Sequence, residues 1–248
     1  RPHRVKYWEN PTIANQEEFD AATAKICDLY RMAQERFAGG CHTVCLDEKT
    51  GIQALERIHP DKPVRRGEPA RLEFEYRRHG TQALIPSFEV ATGRILYAAV
   101  ASTRTEDDFA EVVRRTLDTD PGAEWKFICD RLNTHMSESL VRLVAERTGL
   151  NGDLGEKGKY GALKNLSSRE AFLSRTDSRI SFTYTPKHCS WLNQIECWFG
   201  ILSRKALRHA SFASVDQLKK RILNFIDYFN ETMARAFNWT YRGKALKV

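Results

Sequence analysis

Three acidic residues of the chain lie where functional groups, rather than surface charges, are expected. Asp47 follows a short apolar run at 43–46, and Asp130 follows another at 125–129. Both runs are typical of buried strands, and in open sheets functional groups gather at the carboxyl ends of strands. Glu196 lies among Ile, Cys, Trp and Phe in a predicted helix. This apolar setting predicts that its side chain is at least partly buried.

Together these three carboxylates have the chemistry of a divalent-metal site. Placing unpaired carboxylates side by side is costly unless a cation lies between them. Hard oxygen ligands suit Mg²⁺ or Mn²⁺, and such a set can hold two ions about 4 Å apart for in-line displacement at a phosphodiester. Two simpler interpretations stay open, namely that Asp47 and Asp130 cap helices and that Glu196 pairs with an arginine.

The distribution of charge favours nucleic acid as the partner. The chain of 248 residues carries a net charge of +7, and residues 203–248, with ten basic and three acidic side chains, account for all of it. Trp239 and Tyr241 lie among these charges and could stack on bases. Further basic stretches occur at 62–79 and 157–179. The alternative is a solvated helical surface. No apolar run approaches the roughly 18 residues of a membrane span.

The cysteines favour a reducing compartment. There are six of them, none forms a CxxC pair, and several lie inside apolar runs. Small buried thiols are therefore the preferred interpretation. A zinc site formed by His188, Cys189 and Cys197 is the weaker alternative because the paired ligand spacing is missing. The chain begins with Arg1 and has no signal-peptide pattern, which predicts a fragment of a longer protein.

Hydrophobic periodicity predicts the elements that must position the carboxylates. In chain order they are a helix at 16–38, strands at 43–46, 83–90 and 95–100, a helix at 106–117 and a strand at 125–129. A helix at 137–147, a strand at 180–184 and helices at 191–207 and 215–232 follow. Three hairpin-linked strands followed by alternating elements predict a mixed sheet with helices on its faces. The first and fourth strands are expected to be neighbours. This order resembles the ribonuclease-H-like fold, an α/β mixed sheet flanked by helices.

Longer motifs carry a more specific resemblance. Residues 184–196 (YTPKHCSWLNQIE) resemble the third-carboxylate block of DDE transposases of the mariner superfamily, in its bacterial insertion-sequence branch. Residues 46–50 resemble the first-aspartate strand of that family and residues 129–135 the second. Residues 76–81 and 237–244 also match, so the resemblance covers essentially the whole chain.

This resemblance implies a metal-dependent DNA nuclease and strand transferase. Asp47, Asp130 and Glu196 would be both catalytic and metal-binding, with two Mg²⁺ ions that Mn²⁺ can replace. One ion would lower the pKa of the attacking water, and the other would stabilise the leaving 3′ oxygen. The implied partners are double-stranded DNA at transposon ends and target and a second copy of the chain on DNA. Insertion at TA and a location in the bacterial cytoplasm, at the nucleoid, are implied as well.

DNA contacts are predicted from cations and polar groups that flank the carboxylates or lie in the basic stretches. These residues are Lys49, Arg77, Arg78, Arg131, His135, Lys187, His188, Asn193, Arg204, Lys205 and Arg208. Arg131 stands where the family usually has Asn, so a cation there either contacts a phosphate or weakens the metal site.

The predicted domain organisation is simple. Residues 1–15 resemble the basic linker that follows upstream helix-turn-helix domains, and residues 16–248 form the catalytic domain. That domain has a basic loop at about 151–179 and a basic C-terminal helical tail. Two other functions stay open: a catalytically inactive DNA-binding module derived from a transposase, and a ribonuclease-H-type nuclease acting on RNA–DNA hybrids.

Overall fold

A six-stranded mixed sheet with helices on both faces forms the scaffold of the protein. The computed structural model describes residues 15–71 and 73–241. The strands are β1 (Cys41–Leu46), β2 (Lys49–Arg57), β3 (Tyr76–Glu89), β4 (Ile95–Ala101), β5 (Glu124–Cys129) and β6 (Ile180–Tyr184). The helices are α1 (Gln16–Arg31), α2 (Ala33–Ala38), α3 (Glu106–Leu117), α4 (Glu138–Arg147), α5 (Leu166–Leu173), α6 (Ile195–Leu202) and α7 (Val215–Thr232).

The order of strands confirms the predicted sheet. β3 pairs with β1 and β2 along one side and with β4 along the other, and the sheet continues from β1 through β5 to β6. β1 is antiparallel to β3, and β3 is antiparallel to β4. β1 and β5 are parallel, with Val44 opposite Phe127 and Cys45 opposite Ile128. The strands that precede Asp47 and Asp130 are therefore side by side and point the same way.

Strand β2 is an element that the sequence analysis missed. Only two residues separate it from the end of β1, and both strands pair with β3: Leu46 lies opposite Ser87, and Lys49 lies opposite Leu84. The alternation of β2 is broken by Gly51, which has a φ of 65°, and the register shifts between Lys49 and Ile52 and again between Gln53 and Leu55. β1 and β2 thus form one interrupted line along β3, and the interruption falls on Asp47 and its neighbour Glu48.

Two apolar cores anchor the sheet. On one face, α1, α6 and α7 pack over the sheet around the fully buried Trp198 and Ile222. On the other face, α3, α4 and α5 pack around Phe109. Alternate residues of β5 serve the two cores, with Ile128 in the first and Phe127 in the second. Such alternation is what a central strand with both faces covered requires.

A capping box fixes the start of α3. Thr105 Oγ1 accepts a hydrogen bond from the backbone N–H of Asp108 at 3.2 Å, and Asp108 Oδ2 accepts one from the backbone N–H of Thr105 at 2.7 Å. This reciprocal pair satisfies two of the amide donors that every helix leaves free at its N-terminus.

Two long predicted helices are interrupted, and this corrects the sequence analysis. The helix predicted at 16–38 breaks at Met32, where ψ is 1°. The helix predicted at 191–207 is a short 3₁₀ turn, then α6 from Ile195, then a π-helical turn. The cause of the second break is Asn193, whose ψ of 115° lies outside the helical range. α6 therefore begins one residue before Glu196.

The segment predicted as a long basic loop at 151–179 is in part folded. It contains α5, whose N-cap Asn165 exchanges hydrogen bonds with Ser168 at 2.9 Å in both directions. Leu163 and Leu173 of this segment are fully buried in the second core. Apolar residues are too few here to show a helical period, so α5 was not predicted.

Part of the predicted organisation lies outside the described residues. Residues 1–14 of the predicted linker are among them, and so are Arg242, Lys244 and Lys247 of the basic tail. In the part of the chain that the structure describes, no helix is long and apolar enough to cross a membrane.

Candidate active site

Asp47 and Asp130 lie at one edge of the sheet. Asp47 lies two residues after Cys45, and Asp130 lies two residues after Ile128. Cys45 and Ile128 are opposite each other in the parallel pair of β1 and β5. Asp47 is 7% exposed, and one of its oxygens accepts a hydrogen bond from the backbone N–H of Glu48 at 2.8 Å. The sheet therefore holds an aspartate at the ends of two adjacent parallel strands, and one of the two is almost entirely removed from solvent.

Burial raises the pKa of Asp47 to about 7, and the negative charge of Asp130 adds to that rise. The hydrogen bond from Glu48 and the positive charge of His135 work in the opposite direction, and the charge of Glu196 raises the pKa further. The carboxylates of Asp130 and Glu196 are thus close enough to Asp47 to disfavour its ionisation. A cation among them would offset both the burial and the repulsion.

Glu196 lies in the first turn of α6 and is at the surface, less buried than its apolar neighbours in the sequence suggest. The apolar face of α6, with Ile195 and Phe199, turns towards the core, and Glu196 lies off that face. Partial removal from solvent raises the pKa of Glu196, the nearby charge of Lys49 opposes this, and Asp130 adds to it. The ammonium of Lys49 lies 5.6 Å from the centre of the Phe199 ring. Lys49 therefore stands beside the third carboxylate.

A buried histidine connects Asp130 to Glu48. His135 is 0% exposed, with Nδ1 2.8 Å from Asp130 Oδ1 and Nε2 3.1 Å from Glu48 Oε2. Burial lowers the pKa of His135, but the bonds and charges of the two carboxylates outweigh this and raise it to about 10. His135 is therefore a cation at neutral pH. Although burial works to raise the pKa of Asp130, the hydrogen bond from His135 holds it below its usual value.

The part played by Glu48 was not predicted from the sequence, and His135 was predicted as a DNA contact. A fully buried imidazole cannot touch DNA, so that assignment is wrong. Glu48 also accepts a hydrogen bond from Thr134 Oγ1 at 3.3 Å. Only its place next to Asp47, at the end of a predicted strand, could have drawn attention to it.

The donor atoms of this edge suit a divalent metal. Among residues 15–71 and 73–241, Asp47, Glu48 and His135 are the one group of metal-ligating side chains whose donor atoms all lie within 4.8 Å of one another. His135, however, uses both ring nitrogens towards carboxylates, and a protonated imidazole has no lone pair for a metal. Asp130 turns one oxygen to His135. The three predicted ligands, Asp47, Asp130 and Glu196, are not a group within that 4.8 Å limit in the described part of the chain.

The oxygens best able to accept a cation therefore belong to Asp47, Asp130 and Glu196. All three are carboxylates, the ligands that Mg²⁺ and Mn²⁺ prefer, and burial together with the charges of Asp130 and Glu196 raises the pKa of Asp47. His188, Cys189 and Cys197 do not form such a group in the described part of the chain, so the structure does not favour the zinc alternative.

Asn193 is a second predicted DNA contact that the structure places in the interior. It is 0% exposed, and its Nδ2 donates to the backbone carbonyl of Leu46 at 2.8 Å. The prediction of DNA contact is therefore wrong for Asn193 as well.

The remaining predicted DNA contacts lie at the surface or close to it. Arg131 pairs with Glu170 of α5 at 2.8 Å, so its guanidinium is engaged by a carboxylate other than the three predicted ligands. Arg77 lies 3.8 Å from Glu56, and Arg78 donates to the Tyr76 hydroxyl at 3.1 Å.

A second set of cations lies around α6. Lys187 and His188 are exposed in the connection before α6, where His188 has a φ of 62°. Arg204, Lys205 and Arg208 are exposed in and just after the π-helical turn that follows α6. Exposed cations thus flank Glu196 on both sides along the chain, with Lys49 half-buried beside it.

A mixed sheet of this order, with acidic residues at the ends of adjacent parallel strands, defines a ribonuclease-H-like fold. The model of the DDE superfamily endonuclease family matches residues 42–219. The chain belongs to this family. No curated protein matches the sequence.

Solved structures agree with this fold. The Mos1 mariner paired end complex with Mn matches with a TM-score of 0.52 and 15% identity, over 97% of this chain and 62% of that chain. The pre-cleavage Mos1 transpososome matches with a TM-score of 0.52 and 11% identity, over 91% of this chain and 60% of that one. The Mos1 transposase catalytic domain with Raltegravir and Mn matches with a TM-score of 0.51 and 10% identity, over 88% and 85%. At such identities the similarity shows the fold alone, and the chain spans about 60% of the length of the first two.

Proposed function

We propose that this chain is the catalytic domain of a transposase, which cleaves DNA at transposon ends and joins the freed 3′-OH to target DNA. The observation that carries the proposal is the buried Asp47 beside Asp130 at the ends of parallel strands, within a chain of the DDE superfamily endonuclease family. Structures with the same fold are described as paired end complexes, transpososomes and Mn- or Mg-containing forms of Mos1. These descriptions support DNA and a divalent metal as the partners.

Asp47, Asp130 and Glu196 are the residues we propose to hold the metal, as two Mg²⁺ ions that Mn²⁺ can replace. A metal bound there supplies a water of lowered pKa and neutralises negative charge at the leaving oxygen. The fit rests on the chemistry of the site, because burial and the charge of Asp130 raise the pKa of both Asp47 and Glu196, and a bound cation would offset both effects.

The other residues of the site prepare it. His135 donates to Asp130 and keeps that carboxylate ionised and oriented. Lys49, next to Glu196, is placed to bind a phosphate of the DNA. The exposed cations around α6, namely Lys187, His188, Arg204, Lys205 and Arg208, would contact the DNA backbone, and Arg77 and Arg78 would do so from β3. A dimer on DNA, insertion at TA, a bacterial insertion-sequence origin and action at the nucleoid complete the proposal.

Cleavage of duplex DNA that carries a transposon end tests this function. The wild-type chain should nick the DNA in Mn²⁺ or Mg²⁺, and the Asp47→Asn, Asp130→Asn and Glu196→Gln variants should not. An RNA–DNA hybrid of the same sequence should be a poor substrate. Preferential cleavage of the hybrid would favour the ribonuclease alternative, and metal binding without any cleavage would favour the inactive DNA-binding module.

A further inference from the structure

The connection between β6 and α6 has to hold Glu196 opposite Asp47. It spans residues 185–194 and contains only one 3₁₀ turn, at Ser190–Leu192. Gln194, the N-cap residue of α6, makes no capping hydrogen bond with its side chain. The start of α6 therefore lacks the N-cap side-chain bond that commonly fixes the beginning of a helix.

Tyr30 of α1 makes two hydrogen bonds to this connection. Its hydroxyl donates to the backbone carbonyl of Leu192 at 2.7 Å and accepts from the backbone N–H of Gln194 at 3.2 Å. Tyr30 is 6% exposed, and its ring packs edge-on against Trp239 with the ring centres 4.8 Å apart. Two peptide groups within four residues of Glu196 are thus held by one hydroxyl on a packed ring.

Asn193 connects the same segment to the strand that carries Asp47. Its Nδ2 donates to the carbonyl of Leu46, the last residue of β1, at 2.8 Å, and its Oδ1 accepts a longer bond from the N–H of Ile195 at 3.4 Å. Its backbone carbonyl accepts from the N–H of Glu196 at 3.1 Å. One buried side chain therefore spans from the residue before Asp47 to the residue before Glu196.

We infer that Tyr30 and Asn193 are positioning residues, which set the separation of Asp47 and Glu196 so that both can bind the same metal centre. The inference rests on the proposed function. Both side chains are buried, so they act through Asp47 and Glu196 and not by touching DNA or metal. Metal sites require their ligands to be held within about 0.5 Å of the productive geometry, which the uncapped start of α6 does not provide unaided.

Mn²⁺ affinity, measured on the full chain by the electron paramagnetic resonance signal of free Mn²⁺, tests the inference. The variants are Tyr30→Phe, which keeps the ring, and Asn193→Ala. Thr116→Val is the matched control, because it removes a buried hydroxyl that donates to the Val112 carbonyl at 2.8 Å in α3, away from the carboxylates. Thermal unfolding of each variant reports the accompanying loss of stability.

We expect Asn193→Ala to weaken Mn²⁺ binding about 10-fold or more and Tyr30→Phe several-fold, as for other residues that orient metal ligands. Thr116→Val should leave the affinity unchanged at a comparable loss of stability. If Tyr30→Phe and Asn193→Ala bind Mn²⁺ as Thr116→Val does, while Asp47→Asn and Glu196→Gln lose it, the positioning role is wrong and the proposed function stands. If Asp47→Asn and Glu196→Gln bind Mn²⁺ like the wild type, both are wrong.

Discussion

At the scale of single residues, the site combines a carboxyl group that resists ionisation with a histidine that resists deprotonation. Burial and neighbouring carboxylates raise the pKa of Asp47 to about 7. Carboxylates on both ring nitrogens raise that of His135 to about 10. The two groups therefore make the stability of the fold depend on pH in ways that substitutions can separate.

Asp47→Asn should stabilise the metal-free protein above neutral pH. The folded pKa of Asp47 lies above its unfolded value of 3.8, so its favourable contribution is complete below pH 3.8 and is lost as the pH rises through about 7. At pH 8 the ionised, buried Asp47 costs on the order of a few kcal/mol, which Asn avoids. Thermal unfolding should show a larger gain at pH 8 than at pH 5. An equal gain at both pH values would contradict the raised pKa.

His135→Gln should destabilise the protein most below pH 6.5, and progressively less as the pH rises towards 10. The folded pKa of His135 exceeds its unfolded value of 6.5, so its stabilisation is complete below pH 6.5 and is lost as the pH rises through about 10. Removing one partner of a buried ionic network costs roughly 3–5 kcal/mol. Denaturant unfolding at pH 7 and pH 10.5 measures the difference between wild type and variant, which should shrink at the higher pH. A constant difference would show that His135 acts through packing alone.

At the scale of elements, the placement of Asp47 depends on β1 and β2 acting as one interrupted strand along β3. Lys49 and Leu46 both have partners on β3, so the two residues between them are held from both sides. The backbone is irregular within β2 as well, where Gly51 adopts a φ of 65°. That conformation is costly for any residue with a Cβ.

Gly51→Ala should therefore destabilise the protein by about 1–2 kcal/mol. No atom lies within 4 Å of the position that a Cβ would take at Gly51, so the cost comes from the backbone and not from a clash. Gly152 is a matched control, since its surroundings are equally open and its φ is not in the left-handed region. Gly152→Ala should be neutral or slightly stabilising in denaturant unfolding. Equal behaviour of the two variants would mean that the strain at Gly51 is absorbed by the strand.

The sequence allowed the elements with a regular apolar pattern to be predicted, but not the irregular ones. Short apolar runs and a hairpin signal predicted β1, β3, β4 and β5. The bounds predicted for α3 and α7 are those of the structure. β2 was missed because Gly51 breaks its alternation. The break at Asn193 was missed because its cause, a bond to Leu46, joins residues 147 positions apart. Long-range partners of this kind leave no local period.

The same limit applies to the site. Asp47 and Asp130 could be placed together because parallel strands end at one edge of a sheet. The position of His135 between Asp130 and Glu48 could not be predicted, because nothing in the spacing shows that the chain brings its ring next to both carboxylates. The sequence likewise suggested burial of Glu196 from its apolar neighbours, whereas those neighbours face the core and leave Glu196 at the surface.

At the scale of the whole molecule, positive charge is concentrated on the part of the chain that follows the third carboxylate. Arg204, Lys205 and Arg208 are exposed, and none of them forms an ion pair within the described residues. By contrast, the exposed Arg115 and Arg142 are paired with Glu111 and Glu138 of their own helices. Arg204, Lys205 and Arg208 should therefore contribute more to DNA binding than the paired Arg115 and Arg142.

Replacing Arg204, Lys205 and Arg208 together by Ala should weaken binding to duplex DNA and lower the salt dependence of log Kd by roughly two to three units. Each lost phosphate contact removes about one released counterion. Mn²⁺ affinity should stay at the wild-type value. Fluorescence anisotropy across a salt series measures the slope, and Arg115→Ala with Arg142→Ala serves as the control. An unchanged slope in the triple variant would mean that these cations are merely solvated.

The interruption between β1 and β2 also governs where the chain can change in length. An insertion or deletion of one residue between Leu46 and Lys49 would shift the register of β2 and turn each of its side chains to the opposite face of the sheet. The connection between Asp130 and Glu196 meets no such restraint, because residues 151–153 are exposed and pair with no strand. Loops of this kind accept added residues at little thermodynamic cost. The spacing that follows the first aspartate is thus fixed by the sheet, whereas the spacing between the second and third carboxylates is free to vary.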